Sequence, residues 1–305
     1  MKQLKLGTSD LQVSNISLGC MRMEALSVNE AEKVVNYALE LGINFFDHAD
    51  IYGAGKSEEI FAKTLDGKPS IREKLYIQTK TGIRKGFYDF SKEHILQSVD
   101  GSLQRLKTDY VDVLLLHRPD TLMEPEEVAE AFAILKESGK VRHFGVSNHN
   151  PYQIELLKKY VKEDLIVNQL QFSVMHTGMI DAGINVNTKF EGAIDRDGGI
   201  LDYSRLNNMT IQAWSPFQHG FFEGVFVDND KFPELNEKLA EIGSNYGLTN
   251  TGVAIAWILR HPANIQPIVG TMNTSRLSEI AKASEVRLTR EEWYEIYRAA
   301  GNQLP

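Results

Sequence analysis

The sequence predicts a closed (β/α)₈ barrel for three reasons, with a doubly wound open sheet as the second choice. Short apolar runs recur along the chain, and each is followed by a segment of helical periodicity or a long connection, which gives eight strand candidates. The run "VDVLLLH" (111–117) is apolar throughout, as expected of a parallel strand covered on both faces. No linker, repeat or low-complexity tract divides the 305 residues, so we predict a single domain over 1–305.

The predicted elements run from a leading hairpin to a final helix. Residues 2–14, "KQLKLGTSDLQVS", predict a hairpin that turns at Thr8-Ser9-Asp10, and 289–300 predict a helix with a stripe of apolar residues. Between them, each strand candidate is followed by its helices: 16–19 by 27–42, 43–49 by 57–65, 75–80 by 91–106, 111–117 by 124–139, 143–148 by 150–160, 165–173 by an irregular stretch, 209–216 by 233–246 and 250–260, and 265–270 by 273–284.

Capping residues support several of these helix boundaries. A polar residue followed three positions later by Glu is the spacing of a capping box, and Pro is favoured at the first helical position. The predicted N-caps are Ser27 with Glu30, Ser57, Ser91, Asn150 before Pro151, and Thr289 with Glu292, and Gly139 is a predicted helix end.

Composition limits the class of protein. The formal net charge of -8 argues against nucleic acid or an acidic membrane as a partner, although an anionic cofactor needs only a local basic site. The single cysteine, Cys20, allows no internal disulfide, so we expect a reducing, cytoplasmic compartment. The N-terminus lacks the apolar core of a signal peptide, and no stretch approaches the ~18 apolar residues of a membrane span. The oligomeric state stays open.

Polar side chains stand at the carboxyl ends of the predicted strands, where barrel enzymes build their sites. Asp47, Lys80 and His117 end three consecutive strands, and Tyr52 lies in the loop just beyond Asp47. The other strand ends carry Ser147-Asn148, Gln169, Trp214-Ser215 and Gly270-Thr271. An acid, an amine, an imidazole and a phenol are therefore predicted to meet at one mouth of the barrel.

These four groups suit the protonation of a carbonyl oxygen. A tyrosine has a pKa near ~10, and a neighbouring lysine ammonium would lower it by stabilising the phenolate. Asp47 would hold the lysine charged, and His117 would orient the substrate oxygen. Because no side chain carries a hydride, a nicotinamide cofactor is implied.

The same residues resemble the aldo-keto reductase family. "FFDHADIYG" carries the Asp and Tyr, "YIQTKTG" the Lys and "LLLHRPD" the His, and "GKVRHFGVSNH" and "VNQLQFS" are also family-like. The resemblance covers nearly the whole chain and is closest to the bacterial oxidoreductases of the YdhF type. It implies a soluble barrel enzyme that reduces the carbonyl group of a small molecule.

The resemblance also assigns individual residues. It implies that Asp47, Tyr52, Lys80 and His117 form the catalytic tetrad, with Tyr52 as the acid. It implies that cofactor contacts come from Ser147, Asn148 and Gln169 at the nicotinamide amide, Trp214 under the nicotinamide ring, Ser215, Phe217 and Gly220 at the pyrophosphate, and Gly270, Thr271, Arg276 and Glu279 at the adenosine and its 2′-phosphate.

Two positions depart from the family pattern and bear on cofactor choice. Met272 stands where the family often has Arg or Lys, and Ile280 stands where Asn is frequent. Arg276 remains available for a 2′-phosphate. We therefore expect NADPH to be preferred, while NADH is not excluded.

The sequence leaves three alternatives to the reductase function. A phosphate loop at Gly55-Lys56-Ser57 would need a glycine five residues before Gly55, and that position is aspartate. A cofactor-binding regulatory subunit of the same fold is a second alternative, which an intact tetrad disfavours. A metal-dependent barrel hydrolase is a third, with ligands drawn from His48, Asp50, His117 and His143. It leaves Lys80 and Tyr52 unexplained.

One stretch resists the barrel pattern. Residues 177–199 follow a predicted strand and combine five glycines with several apolar residues. We hypothesise a lid over the barrel mouth. The alternative is an insertion packed on the outer rim or in an oligomer contact.

Overall fold

The computed structural model describes residues 1–66 and 68–305. Within these ranges, eight parallel strands close into a barrel in their order along the chain, and the last barrel strand pairs with the first. The predicted fold class is confirmed. In chain order the strands are β1 (Gln3–Lys5), β2 (Gln12–Ser14), β3 (Ser17–Gly19), β4 (Phe45–Asp47), β5 (Tyr76–Thr81), β6 (Ile83–Arg84), β7 (Phe87–Tyr88), β8 (Val111–Leu116), β9 (Val141–Ser147), β10 (Leu165–Gln171), β11 (Thr210–Trp214) and β12 (Gln266–Val269). The barrel consists of β3, β4, β5 and β8 to β12; the other strands form two antiparallel hairpins.

Helices connect the barrel strands and cover them from outside. Most of them bury apolar residues against the barrel, and α10 is so enclosed that every residue from Thr251 to Ile258 is buried. The helices are α1 (Val28–Glu40), α2 (Lys56–Thr64), α3 (Pro69–Arg72), α4 (Lys92–Leu106), α5 (Pro125–Glu137), α6 (Pro151–Lys158), α7 (Gly178–Ile184), α8 (Ile200–Leu206), α9 (Pro233–Tyr246), α10 (Asn250–Leu259), α11 (Thr274–Lys282) and α12 (Arg290–Ala299). No helix in the described part of the chain is both long and apolar enough to span a membrane.

Most predicted helix caps are confirmed, and one is wrong. Ser27, Ser91, Asn150 and Thr289 each accept a hydrogen bond from the backbone of the helix that they begin. Ser57 was expected to cap α2, but that helix already begins at Lys56. The Ser57 hydroxyl is buried and donates to the carbonyl of Met21 at 3.2 Å, so it joins the helix to a neighbouring loop.

The N-terminal hairpin closes the amino end of the barrel. Leu6, Leu11 and Val13 are buried and pack in one cluster with barrel residues such as Phe45 and Val113. A side chain at Gly7, which has φ +54°, would collide with the backbone of β10, so glycine is required at this close approach. With this end filled, the cavity described below lies at the opposite, carboxyl end of the strands.

Candidate active site

A cavity of about 1270 Å³ occupies the carboxyl end of the barrel. Most of the residues predicted for the site line it: Asp47, Tyr52, His117, Ser147, Asn148, Gln169, Trp214, Ser215, Phe217, Gly270, Thr271 and Arg276. Among the described lining residues, three of the predicted ones are missing: Lys80, which is buried beneath the cavity, and Gly220 and Glu279.

Lys80 joins Asp47 to Tyr52 at the floor of the cavity. Its ammonium lies 2.8 Å from Asp47 Oδ2 and 3.2 Å from the Tyr52 hydroxyl, and it also donates to the His48 carbonyl at 2.8 Å. Lys80 is fully buried and Asp47 nearly so. A buried charge is stable only when it is paired and hydrogen-bonded, and here all three donors of the ammonium have an acceptor.

Burial and charge act in opposite directions on this group. Burial raises the pKa of Tyr52 above its ordinary value, although the Lys80 ammonium lowers it as the sequence predicted. Burial lowers the pKa of Lys80, but the charge of Asp47 and the bond to Tyr52 raise it by a larger amount. The pKa of Lys80 therefore lies above its usual value. The lysine is therefore charged and the phenol protonated at neutral pH, which is the state that a proton donor needs.

His117 faces Tyr52 across the cavity floor. Their ring centroids are 6.1 Å apart and the ring planes are nearly perpendicular, at 82°. Burial and the charges of Lys80 and Arg118 hold the pKa of His117 well below its ordinary value. The neutral imidazole can donate one hydrogen bond to an oxygen placed between the two rings.

Asp47 is also held by a row of buried glutamines, of which only Gln169 was predicted from the sequence. Gln78 Nε2 donates to Asp47 Oδ1 at 2.6 Å and to Gln212 at 2.8 Å, and Gln169 Nε2 reaches the same two oxygens at 3.1 and 3.2 Å. Gln212 in turn donates to Gln266 at 2.9 Å. A signal was present: "YIQTK", "TIQAW" and "NIQPIV" each place Gln directly after an Ile inside a predicted strand.

A strained turn presents Tyr52 to the cavity. Tyr52–Gly55 forms a 3₁₀ turn in which Gly53 and Ala54 both have left-handed backbone angles, at φ +57° and +54°. A side chain at Gly53 would collide with Glu24. Glycine is therefore required at position 53, and the unfavourable angle at Ala54 is a constraint that the tertiary structure imposes.

The other half of the cavity contains the residues predicted to hold a nicotinamide. The Ser147 hydroxyl donates to the Gln169 carbonyl at 2.9 Å, and Asn148 Nδ2 donates to Ser147 Oγ at 2.8 Å. Trp214 Nε1 donates to Asn148 Oδ1 at 3.1 Å. Asn148 and Ser215 adopt left-handed backbone angles, at φ +59° and +51°, directly after the ends of β9 and β11.

This half fits a dinucleotide cofactor. Ligand cavities typically measure about 300–1,000 Å³, so the present one has room for more than a single small molecule. Gln169 uses its amide nitrogen within the protein, while its oxygen makes no hydrogen bond with a described residue. Arg276 at the far end has no carboxylate partner in the described chain. An amide acceptor and a free guanidinium at opposite ends match a carboxamide and a phosphate.

Two predicted cofactor residues lie outside this arrangement. Gly220 has φ +61° in the loop after β11, and its carbonyl accepts a hydrogen bond from Gln171 at 2.6 Å. Glu279 accepts a hydrogen bond from Thr249 at 3.4 Å on the surface of α11. Both lie near residues that line the cavity.

The residues proposed for a metal hydrolase do not converge. His143 lies at the amino end of the barrel, 3.2 Å from Asp10, and His48 packs edge-on against Phe61 with ring centroids 4.6 Å apart. Among the described residues, no three His, Cys, Asp or Glu side chains are close enough together to hold a metal.

The segment 177–199 packs on the rim of the barrel. It contains α7 and a short 3₁₀ turn, and Asp181 in α7 accepts a hydrogen bond of 2.6 Å from Tyr297 in the C-terminal helix. None of the described residues that line the cavity comes from this segment. The alternative of rim packing describes this arrangement, and closure of the segment over a bound cofactor stays a prediction.

Comparisons with known proteins agree with the resemblance noted above. A family model described as "Aldo/keto reductase family" matches residues 15–300. The chain is 37% identical to "Uncharacterized oxidoreductase YcsN" of Bacillus subtilis (strain 168), covering 100% of both chains. It is 35% identical to "6-dehydroglucose reductase" of Novosphingobium aromaticivorans, covering 99% of this chain and 96% of the relative. It is 34% identical to "Oxidoreductase YdhF" of Escherichia coli (strain K12), covering 92% and 91%.

A solved structure is similar over the same length. The thermostable aldo-keto reductase Tm1743, crystallised with the inhibitor epalrestat, superposes with a TM-score of 0.78 at 26% identity. The similarity covers 98% of this chain and 100% of that one.

Proposed function

The chain belongs to the aldo/keto reductase family, and on that premise we propose that it is an NADPH-dependent oxidoreductase that reduces aldehyde and ketone carbonyls to alcohols. One observation carries the proposal: Asp47, Lys80 and Tyr52 are in continuous contact at the floor of a large cavity. A regulatory subunit that only binds a cofactor would have no need of a buried ion pair beneath a phenol.

In the proposed reaction, the substrate oxygen lies between Tyr52 and His117. A nicotinamide cofactor, when bound, supplies the hydride that the side chains lack. Tyr52 gives its proton to the oxygen as negative charge develops there. Lys80 stabilises the phenolate that remains, and the neutral imidazole of His117 donates a hydrogen bond that orients the carbonyl.

The remaining predicted residues would hold the cofactor. Ser147, Asn148 and Gln169 would bind the carboxamide, and Trp214 would stack against the nicotinamide ring. Ser215 and Phe217 would line the pyrophosphate, and Gly270, Thr271 and Arg276 would hold the adenosine end. Gly220 and Glu279 enter the proposal only as rim positions, because neither lines the cavity.

The test is a turnover assay with NADPH, NADH and a panel of aldehydes and ketones, including 6-dehydroglucose, the compound in the name of one relative. Tyr52→Phe is expected to lower kcat by about 10²–10⁴-fold while leaving the Kd for NADPH unchanged, because the proton is transferred only in the transition state. Full activity of Tyr52→Phe on every carbonyl would refute the assignment. Cofactor binding without turnover by the parent protein would favour the regulatory subunit.

A further inference from the structure

Arg118 is a half-buried cation in the catalytic cavity with no acidic partner. It follows His117 at the carboxyl end of β8 and lines the cavity. Its guanidinium carbon lies 5.5 Å from the Trp214 ring centroid and 5.8 Å from that of Phe221. In the described part of the chain, its guanidinium makes no hydrogen bond and no ion pair.

Several other arginines of the protein are paired with carboxylates. Arg72 and Arg142 share Asp112, Arg105 binds Glu58, and Arg84 binds Asp89. A guanidinium that has lost part of its water gains most from an oxyanion, since its five donors match a carboxylate in a two-bonded geometry. An arginine left without such a partner in a cavity is therefore suited to bind an anionic ligand.

Arg118 lies at the catalytic end of the cavity, directly after His117 and beside Trp214, the proposed partner of the nicotinamide ring. Arg276, the cation proposed for the 2′-phosphate, follows β12 instead. Arg118 directly follows His117, whose ring centroid lies 6.1 Å from that of Tyr52, and all three residues line the same cavity. A ligand at Arg118 would thus be part of the molecule whose carbonyl meets Tyr52.

We propose that Arg118 forms an anion subsite, and that the preferred substrates carry a carboxylate or similar oxyanion in addition to the reacting carbonyl. This inference rests on the proposed reductase function and names its substrate class. The rings of Trp214 and Phe221 flank the planar guanidinium and limit its contact with water, which strengthens a charge-assisted hydrogen bond.

Acidic residues of the cavity are held elsewhere. Asp47 is bound by Lys80, and the Asp228 carboxylate accepts a hydrogen bond from Asn250 at 2.7 Å. Glu24 lies against the Gly53 turn on the side of β3 and β4. The negative charge of Glu24 would repel an anion from that wall of the cavity. Together, the charges of Glu24 and Arg118 favour an anion on the side of Arg118.

Matched acids and esters test the subsite. The substrates are 4-formylbenzoate and 4-oxobutanoate, each compared with its neutral methyl ester under steady-state conditions with NADPH. The parent protein is expected to favour each acid in kcat/KM. Arg118→Met is expected to lower the acid-to-ester ratio by about tenfold or more, mainly through KM, because a charge-assisted hydrogen bond is lost. Arg84→Met, which removes the same charge from an exposed hairpin, should leave the ratio unchanged.

A binding measurement keeps the inference separate from turnover. Calorimetry would measure the Kd of 4-(hydroxymethyl)benzoate and of its methyl ester, for the parent protein and for the Arg118→Met variant. We expect the acid to bind the parent protein about tenfold more tightly than it binds the variant, and the ester to bind both alike. If the ratio of the ester Kd to the acid Kd were the same for the parent and for Arg118→Met, the subsite would be overturned and the reductase proposal would remain intact. Binding of the acid through Arg118 in a protein that reduces no carbonyl would refute the reductase and retain the subsite.

Discussion

The two halves of the cavity are built differently. On the side of β4, β5 and β8, Asp47 and Lys80 are buried and bound to several partners each. On the side of β11, the loop that follows Trp214 carries Phe221 and Phe222, whose side chains are 61% and 55% exposed. In the proposed function, the first half holds the charges that act on the substrate oxygen, and the second half admits and releases the cofactor. Under that proposal, preorganisation is concentrated where charge develops during the reaction.

The largest effect is expected from breaking the buried ion pair. Lys80→Met leaves Asp47 as an uncompensated buried charge and Tyr52 without its stabilising cation. We expect kcat to fall by about 10²–10⁴-fold and the free energy of unfolding to fall by about 3–5 kcal/mol. Steady-state kinetics and denaturant titration measure the two effects.

A double variant separates charge loss from packing. Asp47→Asn combined with Lys80→Met removes both charges, so the double variant should be more stable than Lys80→Met alone and equally inactive. A double variant that is less stable than the single one would show that the pair contributes through packing rather than through charge.

A smaller effect is expected on the cofactor side. Arg276→Ala should raise the KM for NADPH by about tenfold and leave the KM for NADH unchanged, because only NADPH offers a 2′-phosphate. Met272 supplies no cation at the position where the family often has Arg or Lys, so Arg276 is the residue proposed to carry the preference. Lys282→Ala, in the last turn of the same helix, is the control. Equal KM values for both cofactors in the parent protein would place the 2′-phosphate elsewhere.

The glutamine row offers a finer test of preorganisation. Gln78→Leu removes one of the donors that fix Asp47 Oδ1, and we expect kcat to fall by about tenfold as the Asp47–Lys80 geometry loosens. Gln266→Leu changes the same row at a residue that contacts Gln212 and the Ser14 carbonyl instead of Asp47. It should lower stability by about 1–3 kcal/mol and leave kcat intact. Equal losses of kcat in both variants would contradict a positioning role for Gln78.

The smallest effect concerns Asp50, which lies two residues before Tyr52. Its Oδ2 accepts a hydrogen bond from Ser98 at 2.7 Å, and burial raises its pKa from 3.8 to about 6. The folded state thus binds this proton more tightly than the unfolded state. The associated stability is present at low pH and is lost as the pH rises from about 4 to about 6, by about 1–3 kcal/mol.

Asp50→Asn should remove that dependence. Urea titrations across this pH range should show the variant gaining stability relative to the parent as the pH rises, with a higher free energy of unfolding than the parent near pH 7. Asp100→Asn, in an exposed pair with Lys140, is the control and should show no such pH-dependent difference. A constant difference in stability between Asp50→Asn and the parent from pH 4 to pH 6 would contradict the raised pKa of Asp50.

The barrel and the location of its site were predictable because their signals are local. Ser27 and Thr289 cap helices through backbone groups three residues away, and "VDVLLLH" needs only its own composition to indicate a buried strand. Parallel strands share one carboxyl edge, so the positions of Asp47, Lys80 and His117 at strand ends were enough to place them near one another. The sequence itself therefore determined the fold class and the candidate tetrad.

The tertiary structure decided what depends on neighbours that are distant in the chain. Gln78, Gln212 and Gln266 meet because of the register of the strands around the closed barrel. That register cannot be predicted from any local sequence pattern. Burial, which outweighs Lys80 in setting the pKa of Tyr52, likewise exists only after the barrel has closed. The rim position of 177–199 depends on a contact between Asp181 and Tyr297, which are 116 residues apart. Arg118 could be recognised as lacking an acidic partner only once the surroundings of its side chain were known, because pairing is a property of three-dimensional proximity and not of residue type.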